Sequence, residues 1–315
     1  MVSPINKYVW LISLLSRYGE ISFPQIQEEW RNSTLSKEPG EVMVLSRKTF
    51  YNWRGKIIEV LGILIEWRKV GRNTYYFLDN SSSTGNRTRD WLIANVTVSN
   101  ELINSRDISD RILLESVPSG QHFLQPILQA IKENRMIEMT YQAFGKESKT
   151  ILAEPYYVKL FHQRWYLIAY NPEYVGTLRP NRTYSLDRVQ QLTLSDQTFH
   201  PKADIGIDAY FTHFYGVDKL TVYPEPQQIQ IKCSVNQSRY WLTLPVHESQ
   251  QVLKTLPSGE VIFLLTLYPT YDFTQFLLSQ GPEIEVISPV SYREEIAQHV
   301  RAMAEHYSPH DEAEK

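Results

Sequence analysis

Sulfur is what this sequence has least of: its 315 residues contain one cysteine, Cys233, so no intramolecular disulfide can form and no cysteine-cluster zinc site can be assembled. That poverty fits a reducing compartment, and the cytoplasm is the expected location. The eight histidines are scattered, at positions 122, 162, 200, 213, 247, 299, 306 and 310, and no His-Glu-x-x-His occurs, so a zinc-hydrolase helix is excluded and no metal is expected. Glycine is scarce too, at 13 residues, with no Walker A loop, no dinucleotide fingerprint and no Gly-x-Ser-x-Gly elbow. Apolar runs such as Val261 to Leu267 fall far short of the ~20 residues a spanning helix needs. Nor does a basic start lead into a long apolar stretch, so neither a secretory signal nor a membrane span is expected. With no scaffold for catalysis and no cofactor motif, the sequence reads as a binding protein rather than an enzyme.

Positive charge is also short overall, the net charge being −3, but the average hides a gradient. Residues 1–79 hold 11 basic and 8 acidic residues, residues 80–200 hold 13 and 12, and residues 201–315 hold 8 and 15. Between Ser46 and Arg72 the count is 7 basic to 2 acidic. Affinity for a polyanion follows local basic density, because each neutralised phosphate releases counterions. The N-terminal region is therefore the place for nucleic acid, and the C-terminal third repels it.

What is present in that region has a recognisable order. Ser3-Pro4 opens a helix, Ile5, Tyr8, Val9, Ile12 and Leu15 follow at helical spacing, and Gly19 closes it. Ser22-Phe23-Pro24-Gln25 reads as a capping box for a short helix running to Trp30. Residues 31–45, with Pro39-Gly40, form a long polar loop. Ser46 then opens a third helix, whose Phe50, Trp53, Ile57 and Leu61 make one buried stripe. Its other face offers Ser46, Arg47, Lys48, Thr49, Tyr51, Asn52 and Arg54, residue types that pair with base edges or reach phosphates. Ile63, Ile65 and Trp67 alternate with polar neighbours, and a glycine-containing turn leads into a second strand at 74–78. Arg68, Lys69, Arg72 and Asn73 cluster at that hairpin's tip. Three helices and a basic hairpin make a winged helix-turn-helix, with residues 1–80 as a DNA-binding domain.

Residues 81–86 read as a linker, and an amphipathic helix at 90–105, carrying Trp91, Leu92, Val96, Val98 and Leu102, packs beneath the winged helix or against a second copy. Residues 81–135 thus form a helical linker or dimerisation segment, closed by a helix at 126–134. Five short strands follow, at 137–142, 149–153, 156–161, 164–170 and 184–194, with a tight His162-Gln163 turn. They suit a small bent barrel of the Sm or SH3 kind over residues 136–200. The run Arg164-Trp165-Tyr166-Leu167-Ile168-Ala169-Tyr170, preceded by Glu154-Pro155-Tyr156 and followed by Leu186-Asp187-Arg188, resembles the WYL-domain family of bacterial transcriptional regulators. The resemblance covers nearly the whole chain. Residues 208–217 resemble the family's aromatic connector, and residues 201–315 end in a strand, helix, strand, strand, helix, strand order that matches a ferredoxin-like extension. The fold class expected is therefore α+β. The long loop between the second and third helices is similar to that of repressors of phage-defence loci.

The resemblance implies ligand sensing. It places an anionic effector, a nucleotide or nucleic-acid fragment, on Tyr141, His162, Arg164, Tyr166, Arg182, Tyr184 and Arg188. Guanidiniums fork onto phosphate and tyrosine rings stack on bases, which agrees with that transfer. Strand alternation puts Arg164, Tyr166 and Ile168 on one face and Trp165, Leu167 and Ala169 on the other. The function expected is a ligand-responsive, homodimeric regulator of double-stranded DNA, with repression as its mode. Two alternatives stay open: an activator or adaptor that contacts RNA polymerase, and a nucleic-acid-processing enzyme whose winged helix only docks substrate.

Overall fold

A computed structural model describes residues 4–38, 41–42, 44–79, 87–175, 181–201, 211–218 and 222–308. Ser3, Pro39-Gly40, the 81–86 linker, Arg179 and the start of the 208–217 connector lie outside them. The chain is a mixed α+β protein in two compact units, residues 1–115 and residues 116–315. Among the described residues no helix is long and apolar enough to cross a membrane.

The first unit opens with α1 (Pro4–Tyr18), a short strand β1 (Glu20–Ser22) and α2 (Phe23–Asn32). The Gln25 side chain accepts from the Ser22 N–H at 3.0 Å and from its hydroxyl at 2.7 Å, so the capping box forms where its sequence signature stands. Trp30 is the hub of the core, edge-on to Trp10 at 4.9 Å and to Trp53 at 5.1 Å. Each such pair is worth ~0.5–1.5 kcal/mol beyond the area it buries. The expected plain loop at 31–45 contains a 3-10 turn (Thr34–Ser36) and two-residue strands β2 (Lys37–Glu38) and β3 (Glu41–Val42). Helix α3 (Arg47–Leu61) starts on Ser46, whose hydroxyl accepts from the Thr49 N–H at 3.1 Å. It buries Phe50, Trp53 and Ile57 as the stripe required; Leu61 is half-buried.

The expected hairpin forms from β4 (Ile65–Val70) and β5 (Asn73–Leu78), with Trp67 opposite Tyr76. Strand β1 pairs with β5 to make a third strand. Three residues before a capping box carry no alternation to detect, which is why the sequence reading passed over β1. Helix α4 (Arg87–Asn104) packs on α1 and lays Ile93 against the same core, so it belongs to the first unit.

The second unit holds two sheets. Helix α5 (Leu124–Glu133) lies on a five-stranded antiparallel sheet in the order β10 (Val189–Thr198), β6 (Arg135–Tyr141), β7 (Lys149–Phe161), β8 (Arg164–Tyr170), β9 (Asn181–Ser185). Two expectations change here. The strands at 149–153 and 156–161 are one continuous β7, irregular where Pro155, lacking an N–H, interrupts the ladder. The strand at 184–194 is broken by a 3-10 turn at Leu186–Arg188 into β9 and β10. His162 and Gln163 both adopt positive φ, 45° and 61°, as a two-residue hairpin turn demands.

The second sheet follows the order β12 (Gln251–Thr255), β13 (Val261–Leu267), β11 (Gln227–Cys233), β14 (Ile284–Ser288), with every neighbour antiparallel. Helices α6 (Val235–Thr243) and α7 (Tyr271–Ser279) connect its strands, and α8 (Val290–Glu305) follows. The alternate residues Val261, Phe263, Leu265 and Leu267 of β13 are all buried, against Trp241 of α6 and Phe273 and Leu277 of α7.

Candidate nucleic-acid interface and effector face

The residues proposed to meet DNA fall into three groups. Lys48, Asn52, Lys69, Arg72 and Asn73 are exposed. Ser46 and Thr49 are committed to the start of α3, their hydroxyls 2.8 Å apart in addition to the cap bond. The remainder lean on neighbours. Arg47 is exposed with its guanidinium 4.9 Å from the centre of the Phe23 ring, and Arg68 forks onto the Glu20 carboxylate at 2.6 and 3.1 Å. The Tyr51 hydroxyl lies 3.3 Å from that of Tyr76 on β5, and Arg54 donates to the Ile65 carbonyl at 2.6 Å. Burial, and then the bond to Tyr51, push the Tyr76 hydroxyl up to about 12, so it stays neutral.

These last two contacts decide the geometry. They tie the second and third turns of α3 to both strands of the hairpin, at Ile65 of β4 and Tyr76 of β5.

The seven residues assigned to an effector do not form one patch. Tyr141 and Tyr184 are a correction: both are core side chains, 8% and 6% exposed, meeting edge-on at 5.1 Å. The Tyr184 hydroxyl accepts from buried Asn171 at 3.1 Å, and burial pushes it up to about 12. Leu167, Ile168 and Ala169 are buried in succession, so the middle of β8 is covered on both faces. Period-two reasoning assumes that one face of a strand is wet, and here neither is.

Two clusters remain. In the first, Arg164 pairs with Asp187 at 3.4 Å, and Asp187 also holds the Ser185 hydroxyl. Arg188 turns away from Asp187 and stacks on Phe144, 3.7 Å from the ring centre. Tyr166 lies among them, its hydroxyl raised by burial and within electrostatic reach of Arg164, Asp187, Asp272 and Arg188. In the second cluster Arg182 stacks on Tyr174 at 3.8 Å, and Lys149 reaches the Tyr174 hydroxyl at 3.4 Å and Glu173 at 3.6 Å. His162 stays exposed at its turn, against Phe161. Among the described residues the Nε atoms of Arg182 and Arg188 are buried without a hydrogen-bond partner, while each guanidinium lies over a ring. A guanidinium held flat on an aromatic ring is pre-oriented for a planar or tetrahedral oxyanion.

Sequence reasoning missed Phe144, Tyr174 and Asp272. The first two are aromatic residues in or beside loops with no periodicity to expose them. Asp272 lies 55 residues from its closest partners: its carboxylate accepts from the Val217 and Asp218 N–H groups at 2.7 and 2.8 Å. Lys159 of β7 donates to the Gly216 carbonyl at 2.5 Å, and Tyr215 packs edge-on to Phe161 and against Phe276. The end of the connector is thereby fastened to both sheets' modules. Among the described residues no group of three or more His, Cys, Asp or Glu side chains is placed to hold a metal ion.

Comparison with known proteins gives two domain matches. Residues 122–194 match the WYL domain, and residues 225–304 match the WCX domain. No curated protein matches the chain. Among solved structures the chain is similar to proteasome accessory factor B/C (PafBC) of Arthrobacter aurescens, at 16% identity and a TM-score of 0.36, covering 98% of this chain. It spans about half of that protein's length, 48%. A CRISPR Cas-related protein is similar at 12% identity and a TM-score of 0.39, with 98% of this chain and 87% of the other covered. Overlaps this loose carry no argument, and the weight rests on the two domain matches.

Proposed function

From a chain that carries a WYL domain followed by a WCX domain, we propose a DNA-binding transcriptional regulator, a homodimeric repressor whose WYL domain senses an anionic nucleotide or nucleic-acid fragment. The first unit is then a winged helix-turn-helix with α3 as the recognition helix and the β4–β5 hairpin as the wing. The five-stranded sheet is read as the small Sm-like barrel. The last sheet, with its order β12-β13-β11-β14 and two connecting helices, is read as the ferredoxin-like extension. Functional limits at 80, 135 and 200 go with this reading: the DNA-facing residues end before 80, while α4, packed on α1 within the first unit, also serves as the dimerisation helix.

The observation that carries the proposal is the fastening of α3 to the hairpin through Tyr51–Tyr76 and Arg54–Ile65. It supports a reading in which Lys48 and Asn52 of the helix and Lys69, Arg72 and Asn73 of the tip face one duplex, the combination of groove entry and backbone grip that a winged helix uses. Two copies related by a two-fold axis would read a near-palindrome. An effector on the cluster of Arg164, Tyr166 and Arg188 changes operator affinity only if it binds one conformation better than the other.

The test begins with duplexes selected by the full-length protein from genomic DNA. Arg47→Ala with Asn52→Ala should lose at least about 30-fold in affinity for a selected duplex, two groove contacts being worth ~1–3 kcal/mol each. Lys69→Ala with Arg72→Ala should weaken every duplex alike and flatten the salt dependence by about one unit per lost phosphate contact. Undiminished retention of the selected duplex by the Arg47/Asn52 variant in a gel shift would remove α3 from the interface. Arg164→Ala with Arg188→Ala should keep operator affinity and lose derepression in a reporter strain.

A further inference from the structure

Arg54 differs from every other basic residue of the candidate interface. Its Nη2 donates to the Ile65 carbonyl at 2.6 Å, crossing from the third turn of α3 to the first residue of β4. Its guanidinium lies 5.7 Å from the Tyr51 ring centre, 5.3 Å from Tyr76 and 6.0 Å from Phe50. Its Nε is buried without a hydrogen-bond partner among the described residues. The two tyrosine hydroxyls meet alongside it, and Trp67 stands opposite Tyr76 on the neighbouring strand. The charge is therefore half-buried among three rings and spent on a backbone carbonyl of the hairpin. To reach a phosphate it would have to abandon that carbonyl and uncover the rings.

We infer that Arg54 is a positioning residue: it latches the hairpin to the recognition helix at the angle where both can meet one duplex, and does not itself contact DNA. This rests on the DNA-binding reading above and alters what the residue is for. A planar, multi-donor guanidinium suits the role because it can bond in its plane while its face packs on rings, which an ammonium cannot do.

The latch and a direct contact predict different salt behaviour. A side chain on one phosphate accounts for about 0.9 of the slope of log affinity against log salt. Losing the latch lets the hairpin tip shift, so Lys69 and Arg72 lose their hold together. In Arg54→Ala the slope should therefore fall by about two or more, with affinity down roughly 10–100-fold for every selected duplex. Combined with Lys69→Ala and Arg72→Ala, Arg54→Ala should add less than about a two-fold loss, since the contacts it would release are already gone. A slope change of about one, with losses that multiply in the triple variant, overturns the inference.

A measurement without DNA keeps the two readings separate. Amide exchange of the full-length chain should show the 65–78 hairpin losing about ten-fold or more in protection in Arg54→Ala, with α1 and α2 unchanged. Unchanged hairpin protection also overturns the latch. If the parent protein selects no DNA, the DNA-binding reading fails and the exchange result still decides the latch. Should Arg54→Ala lower protection everywhere, Arg54→Lys, which keeps the charge and loses the plane, is the variant to compare; hairpin protection at parent level there refutes a latch made by the guanidinium.

Discussion

Gly216 and Asp272 illustrate how a single atom governs the second unit. Gly216 has φ of +81°, and a Cβ there would lie 2.3 to 2.7 Å from the Asp272 side chain. That side chain in turn accepts the N–H groups of Val217 and Asp218. Gly216→Ala should therefore destabilise the second unit by at least ~1–2 kcal/mol from the left-handed backbone alone, and more from the clash. Asp272→Ala leaves two donors without an acceptor, at ~1–3 kcal/mol for each one that water cannot reach. Asp272→Asn retains an acceptor oxygen and should cost less than either. Urea unfolding of the full-length chain ranks the three; an Ala at 216 that is neutral would contradict the close approach.

Cys233 makes a second residue-level test. It is fully buried in β11, and burial pushes its thiol up to about 12. At pH 8 the native protein holds almost no thiolate, so a thiol-reactive dye should label it only at the rate of unfolding, while the denatured chain labels at once. Immediate labelling of the native protein would show that β11 is open to solvent.

At the scale of elements, the Lys232–Glu285–Arg293 group joins β11, β14 and α8. Glu285 lies 2.8 Å from Lys232 and 2.8 Å from Arg293, and the bonds from Lys232 and then Arg293 hold its carboxyl below the ordinary range. A depressed carboxyl stabilises the fold when ionised, so its contribution is present above the usual glutamate range and is lost as pH falls through the lower, folded-state value. Because the group is 42% exposed, solvent screens it and the contribution is at most ~1 kcal/mol. Glu285→Gln should be slightly less stable than the parent at pH 7, and the gap should close in acid. A gap that widens on acidification would reverse the assignment.

Elements with a strong period were legible in the sequence. The stripe of Phe50, Trp53 and Ile57 fixes the buried face of α3, and Ser46 and the capping box fix two helix starts, because these signals lie within a few residues of one another. β1 was not legible, being too short to show alternation. Nor was the burial of Tyr141, Tyr184 and Ile168, because what covers a strand's second face comes from elsewhere in the chain. Arg54 carried a faint signal: four residues after Phe50, it falls at the edge of the apolar stripe, where a long side chain is drawn over the core.

At the scale of the molecule, the first unit runs past the expected boundary at 80, since α4 covers α1 and packs Ile93 on its core. A fragment of residues 1–115 should therefore unfold cooperatively and at a higher temperature than a fragment of residues 1–80, by calorimetry. Equal melting of the two would return α4 to the role of a linker. The charge gradient points the same way: the acidic excess of residues 201–315 belongs to the second unit, so the 1–115 fragment should bind duplex DNA no more weakly per copy than the full chain does in the absence of a second contact. A fragment that binds no DNA, while the full chain does, would move the interface to the second unit.

Residue order alone determined the strongly periodic elements, two helix starts and the partition of charge, because hydrophobic period, helix capping and Coulomb attraction to a polyanion act locally or sum over a segment. Tertiary structure alone decided which of the named side chains are available. Packing from distant segments buried two tyrosines meant for a ligand and brought Asp272 to the end of a connector 54 and 55 residues away. Those outcomes depend on which surfaces meet when the chain closes, and no window of sequence contains both surfaces.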